Sequence, residues 1–205
     1  MSQPWDRPKN TLIPNRQGDR RSTRIYAALG QAVSAWEGVA AALGSVFFAT
    51  LDQATRDRPY DLPEEAFGNI KNVNTRADQL LAVWKNFKAP YLYFPTAILT
   101  VTNLDDDLND ILIAVRGWAA RRNDLAHGYV TKAWAPDYTQ DEQPLTTQYA
   151  LCPSHGRVGK WFRGEPEYNY LASYITEIAL AFRDLDEKLE LVAGKIEKLR
   201  SDYPL

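Results

Sequence analysis

Two long apolar seams constrain the fold more than anything else in this chain. Ile178, Phe182, Leu185, Leu189, Val192, Ile196 and Leu199 are separated by steps of 4, 3, 4, 3, 4 and 3. That spacing lines large side chains along one stripe of a helix, with Arg183, Asp186, Glu187, Lys188, Glu190, Lys195 and Glu197 covering the other faces. Such a stripe has to be buried against other helices, within the chain or across a dimer. A second seam, Leu104, Leu108, Ile111, Val115, Trp118 and Leu125, steps by 4, 3, 4, 3 and 7. The residue that fills its last gap is Arg122, so a guanidinium interrupts an apolar stripe near a helix end. The spacing predicts one helix from near Thr96 to His127 and another from near Asn169 to Arg200.

Two more helices are expected earlier in the chain. The first starts at a Ser22 or Thr23 cap and runs to about Arg56. Its apolar face is Ile25, Leu29, Val33, Trp36, Val39 or Ala40, Leu43, Phe47 and Leu51. Glu37 is its one charge between Ile25 and Leu51, and the uncharged runs on either side are 12 and 14 residues. Both fall short of the roughly 20 that a membrane span needs, which favours a buried core helix. Gly30, Ser34, Gly38 and Ala42 recur every four residues and would let a neighbouring helix approach closely. The second helix is expected from Pro63 to Phe87, with Ile70, Val73, Ala77, Leu80 or Leu81 and Trp84 inward. Asn69, Lys71, Asn72 and Asn74 weaken its first half. Between it and the third helix, Pro90 to Pro95 holds Tyr91, Tyr93 and Phe94. These aromatics either pack under the connection or stack on a base.

Residues 129–168 change character. Short runs of β-formers around Tyr129, Leu145 and Val158 alternate with turn residues, which predicts a β-hairpin or ordered-loop insertion before the last helix. Lys132, Arg157, Lys160 and Arg163 alternate there with Trp134, Tyr149, Trp161 and Phe162. Lys132, Lys160, Trp161 and Arg163 are the candidate RNA contacts. The same segment also reads as a hairpin that covers a helix end with its cations in water. Residues 1–20 read as a flexible N-terminal arm whose Trp5, Leu12 and Ile13 could dock. Residues 21–205 read as a single helical domain.

The 205 residues and 45% hydrophobic content suit one globular domain. A formal net charge of −2 supplies no global field for nucleic acid, which leaves a local basic cleft as the route to RNA. The single Cys152 fits a reducing compartment. The stretch from Met1 to Asn10 has no apolar signal core, so a cytoplasmic location is expected. Asp105, Asp106, Asp107 and Asp110 point in different directions on a helix and read as a solvated face, not a metal site. Cys152 and His155 lack a second ligand pair for zinc. No cofactor and no metal are expected.

The chemistry concentrates in Arg121-Arg122-Asn123-Asp124-Leu125-Ala126-His127-Gly128-Tyr129. Asn109, Arg116, Asn123 and His127 follow one another by 7, 7 and 4 along a helical face. Gly128 reads as the helix stop. His127 then sits at the negative end of the helix dipole, which suits a cation and a general acid. Arg122 matches a phosphate by its fork of donors. Arg116 and Arg121 are candidates for supporting the site or holding phosphate. The bland alternative is an Arg and a His that cap helix carbonyls.

Arg122-Asn123-x-x-x-His127 resembles the signature of HEPN domains, and the continuation to Tyr129 resembles their Arg-x4-His-x-Tyr form. The resemblance implies an all-α, up-and-down four-helix HEPN-like bundle. It implies a metal-independent endoribonuclease of a toxin–antitoxin or phage-defence system, with Arg122 and His127 catalytic and Asn123 orienting the phosphate or the imidazole. It also implies a homodimer whose two motifs meet at one cleft. Tyr129 would be a modification site if the antitoxin is a minimal nucleotidyltransferase. A non-catalytic HEPN-like module for dimerisation, partner binding or nucleotide binding is the second reading.

Overall fold

A computed structural model of the chain describes residues 3–7, 18–51, 62–132, 149–154, 161–162 and 165–204. The protein is mostly helical, with a small two-stranded sheet. Five α-helices are present among the described residues: α1 (Ser22–Thr50), α2 (Leu62–Gly68), α3 (Val73–Lys88), α4 (Pro95–His127) and α5 (Ala172–Asp202). Between α4 and α5 lie β1 (Gly128–Lys132), β2 (Tyr149–Pro153) and the two-residue strands β3 (Trp161–Phe162) and β4 (Glu165–Pro166). The chain divides into two compact units. One comprises Met1–Ala35 and Ala120–Ala181, the other Trp36–Ala119 and Phe182–Leu205, so α1, α4 and α5 contribute to both.

Every member of the 178–199 seam is buried, as its heptad spacing requires. The 104–125 seam is buried at Leu104, Leu108, Ile111, Val115 and Leu125, but its polar interruption falls elsewhere. Arg121 is buried and Arg122 is half-buried. On α1 the inward stripe is shifted toward small residues. Ala28, Ala32, Ala35 and Ala42 are buried, and Val33 is exposed. Of the expected small-residue stripe, Gly38 is the position that a neighbour needs. A Cβ there would meet the Asp186 carboxylate at 2.7 Å, whereas one at Gly30 would meet nothing within 4 Å. By length and composition α1 could also cross a membrane, although 44% of its most apolar window is buried inside the protein.

In the second unit, side-chain contacts fix helix directions. Trp36 meets Phe182 edge to face at 4.8 Å, and Trp118 approaches the same ring at 6.0 Å. Further along, Ser45 donates to Glu190 at 2.9 Å. Arg200 Nη2 then donates to the carbonyls of Ala49 and Leu51, which satisfies acceptors at the end of α1. These contacts ascend together, so α1 and α5 run parallel here. Lys195 pairs with Asp107 at 2.6 Å, which sets α4 against α5. Trp84 Nε1 donates to Asp105 at 2.7 Å and Arg116 pairs with Asp78 at 2.6 Å, which sets α3 against α4. Thus α1, α3 and α5 share a direction and α4 opposes them, which corrects the expected strict up-and-down order.

The expected helix over 63–87 is two helices. The Asn-rich run breaks it, because asparagine side chains compete for backbone hydrogen bonds. Asn72 caps α3 by accepting from the Asn74 N–H at 2.9 Å. Arg76 satisfies the freed carbonyls of Gly68 and Ile70, each at 2.6 Å. The aromatic turn is a 3₁₀ helix, Ala89–Tyr93, and its rings differ in burial. Tyr91 is buried against Phe87, Phe94 contacts Tyr203, and Tyr93 stands 85% exposed.

The N-terminal arm, read from sequence as flexible, is tied down where it is described. Asp19 exchanges both backbone hydrogen bonds with Tyr149, and its carboxylate accepts the Ala172 N–H at the start of α5. Arg7 is bound as well, as set out below. Leu12 and Ile13 lie outside the described residues.

Candidate functional site

The end of α4 passes into β1 with no intervening turn. Gly128 is the first strand residue, not a left-handed helix stop. Its glycine is required by close approach instead. A Cβ at 128 would lie 2.9 Å from the Asp124 carbonyl oxygen and 2.9 Å from Leu151 Cγ. β1 pairs antiparallel with β2, with Tyr129 opposite Cys152 and Lys132 opposite Tyr149. On its other edge β2 is bridged at Tyr149 by Asp19 and at Leu151 by Tyr170. The helix end is therefore held in a small layered corner of the first unit.

At the centre of that corner is Asp124, whose side chain is 4% exposed. Arg7 binds it in a two-pronged pair, Nε to Oδ2 at 2.9 Å and Nη2 to Oδ1 at 2.8 Å. The Tyr170 hydroxyl donates to Oδ2 at 2.9 Å. Arg121 Nη1 lies 3.4 Å from the same oxygen and donates to the Tyr170 hydroxyl oxygen at 3.2 Å. The Tyr168 hydroxyl donates to the Asp124 backbone carbonyl at 3.1 Å, which satisfies one of the acceptors left at a helix C-terminus. Arg7 also pairs with Glu167, and its guanidinium lies 5.2 Å from the Tyr168 ring centroid.

The electrostatics follow from burial. Burial and the Asp124 charge hold the Tyr170 phenol well above its ordinary value, although Arg121 and Arg7 oppose them, so it stays a neutral donor. For Arg7, burial works against the charge, but the hydrogen bond and the charge of Asp124, with Tyr170, together outweigh it and the guanidinium is held more firmly protonated. Burial alone pushes the Cys152 thiol up to about 11. Both Asp124 oxygens already accept hydrogen bonds and the side chain is 4% exposed, so this carboxylate is shielded from a substrate proton. Its arrangement is that of an anchor.

The sequence-predicted residues divide around this anchor. Asn123 and His127 are exposed on α4, four positions apart and so neighbours on one face. Arg122 is half-buried, and its Nη1 reaches Asn123 Oδ1 at the long distance of 3.5 Å. Five positions separate Arg122 from His127, which turns their side chains about 140° apart around the helix axis. Arg116 is engaged by Asp78 on α3. Arg121 points inward to Asp124 and not toward a solvent-borne phosphate. Tyr129 is half-buried on β1 and Lys132 is exposed at its end. The Trp161 backbone pairs with Pro166 in the β3–β4 ladder. Lys160 and Arg163 lie outside the described residues, as do Trp134, His155 and Arg157.

Sequence reasoning missed Arg7, Asp124, Tyr168 and Tyr170. One usable signal existed: Arg121 lies three after Trp118 and four before Leu125, so it fills the seam gap as well as Arg122 does. Asp105, expected on a solvated face, is half-buried and bonded by Trp84 and Lys88. Burial would raise its carboxyl, but the bonds from Lys88 and Trp84 prevail and hold it below the ordinary value. Among the described residues no group of three or more His, Cys, Asp or Glu side chains could hold a metal ion. Neither a protein-family model, nor a curated protein, nor a solved structure matches the chain.

Proposed function

We propose that the chain is a metal-independent endoribonuclease of HEPN type, acting in the cytoplasm as a toxin or phage-defence component. The observation that carries this reading is the state of the motif at the end of α4. Asn123 and His127 are exposed side by side, while the residues between and beside them, Asp124 and Arg121, are buried and anchored. An imidazole and an amide displayed on a held helix end are what a phosphodiester site needs from one wall. The cleavage is attack of the ribose 2′-hydroxyl on the adjacent phosphorus. A base takes the hydroxyl proton, an acid protonates the leaving 5′-oxygen, and a cation steadies the non-bridging oxygens. His127 would serve as acid or base, Arg122 as the cation and Asn123 as the orienting group.

The angular separation of Arg122 and His127 favours a site completed by a second copy. Two chains related by a two-fold axis would form a cleft with two composite sites, each pairing the Arg122 of one copy with the His127 of the other. Lys132 would then track the RNA backbone along the strand that leaves the motif. Tyr129 would be the residue for an antitoxin such as a nucleotidyltransferase to modify.

The test is cleavage of RNA in EDTA by wild type, His127→Ala and Arg122→Ala, with analysis of the product ends. The expected result is wild-type cutting that leaves 2′,3′-cyclic phosphate, with a loss of about a hundredfold or more in each variant. The same angular separation also supports the second reading, a helical module that binds a partner without catalysis. Wild-type protein that leaves varied RNAs intact would establish that reading over the first.

A further inference from the structure

We infer that Arg7 is a positioning residue, a clasp by which the N-terminal segment fixes the end of α4 and with it the motif over 122–127. The segment is preorganised for this. Asp6 N–H donates to the Gln3 carbonyl at 2.9 Å and its carboxylate accepts the Gln3 N–H at 2.7 Å, a closed turn that delivers Arg7 at its exit. Arg7 spans 117 residues of sequence to reach Asp124. Asp124 sits between Asn123 and His127, so whatever holds its carboxylate sets the rotation of the last helical turn. Arg7 supplies two of the bonds that hold it, in the fork geometry that a carboxylate matches best.

The clasp is separable from the fold by charge. Without Arg7, Asp124 keeps Arg121 as its counter-ion and the Tyr170 hydroxyl as donor, so no buried charge is stranded. Without Asp124, by contrast, the buried Arg121 loses its carboxylate, while Arg7 keeps Glu167. Arg7 is also the more accessible partner, with 25% of its side chain exposed against 4% for Asp124. An element that is partly exposed, whose removal leaves Asp124 paired with Arg121, and that is bonded to the last turn of α4 suits tuning of the motif better than it suits support of the core. The functional half of this inference rests on the ribonuclease reading; the structural half does not.

Hydrogen exchange on the full chain tests the structural half. Arg7→Ala should speed exchange of the amides of 122–128 by about ten- to a hundredfold, the factor that losing a charge-assisted hydrogen bond carries, and leave α3 and the second half of α5 unchanged. Arg7→Lys, or millimolar ethylguanidinium added to Arg7→Ala, should restore much of the protection. Unchanged exchange at 122–128, or a uniform rise over the whole chain, would overturn the clasp. For the functional half, Arg7→Ala should lower kcat for RNA by tenfold or so and leave KM within twofold, with recovery in ethylguanidinium. Loosened exchange with wild-type kcat would overturn the positioning role. Loosened exchange in a protein whose wild type cuts no RNA would instead remove the ribonuclease reading and leave the clasp standing.

Discussion

Asp124 shows how a single buried charge organises its surroundings. It binds Arg7, Arg121 and Tyr170 at once, and its own carbonyl takes the Tyr168 hydroxyl. Replacing it takes the carboxylate from the buried Arg121, while Arg7 keeps Glu167. Asp124→Ala should therefore lower the unfolding free energy by about 3–5 kcal/mol, read by urea denaturation, whereas Asn123→Ala one residue earlier should change it by less than about 0.5 kcal/mol. Cys152 makes a simpler test of the same corner. It is buried with a thiol pushed up to about 11, so native protein should react with a thiol reagent at neutral pH far more slowly than urea-unfolded protein. Equal rates would mean that β2 is open in solution. At this scale the sequence was readable in part. Periodicity located an arginine inside the second seam, but Arg121 and Arg122 fit the gap equally. What decides between them is Asp124, three residues on from Arg121, together with Tyr170 and Arg7 from far along the chain. No local pattern reports those partners.

Among the elements, the long helices were legible and their interruptions were less so. The two seams define α4 and α5 because burial of a continuous stripe leaves few alternatives. The break between α2 and α3 was signalled by Asn69, Asn72 and Asn74, yet its outcome depends on Arg76 reaching back to cap Gly68 and Ile70. Glycines separate helix packing from helix propensity. A Cβ at Gly38 would meet the Asp186 carboxylate at 2.7 Å, so Gly38→Ala should destabilise the fold. A Cβ at Gly44 would meet nothing within 4 Å, so Gly44→Ala should stabilise it by about 0.5–1 kcal/mol through the unfolded chain alone. Matched denaturant titrations check the opposite signs. The Gly38 contact also has a pH signature. Burial first, then Glu190 and Glu187, push the Asp186 carboxyl above its ordinary value. The folded protein thus holds that proton more tightly than the unfolded chain does. Stability from this group is present at acid pH and is lost as pH rises through the window above the ordinary aspartate value. Asp186→Asn should raise Tm at pH 7 and leave it unchanged near pH 3; a decrease at pH 7 would mean that the charged form is the one the fold favours.

For the whole molecule, the question is whether one chain or two make a working site. The sequence motif placed Arg122, Asn123 and His127 on one helix end, and that placement stands. The angular divergence of Arg122 from His127 was already contained in their five-residue spacing; what the motif did not carry is which of the two arginines the core takes. With Arg121 turned to Asp124, Arg122 is the guanidinium left for the proposed RNA substrate, and within its own chain it faces away from His127. A two-chain site resolves this if the Arg122 of one copy meets the His127 of the other. The arrangement makes a complementation prediction. Arg122→Ala retains both imidazoles of a dimer and His127→Ala retains both guanidiniums. A mixed dimer of the two holds one composite site with an intact Arg122 from one chain and an intact His127 from the other. Co-refolding the two inactive variants in equal amounts should yield half the chains in mixed dimers, each with one of its two sites. The mixture should then cut RNA at about a quarter of the wild-type rate, far above either variant alone. If each motif worked within its own chain, no species in the mixture would carry a complete pair, and the mixture would stay at the level of the separate variants.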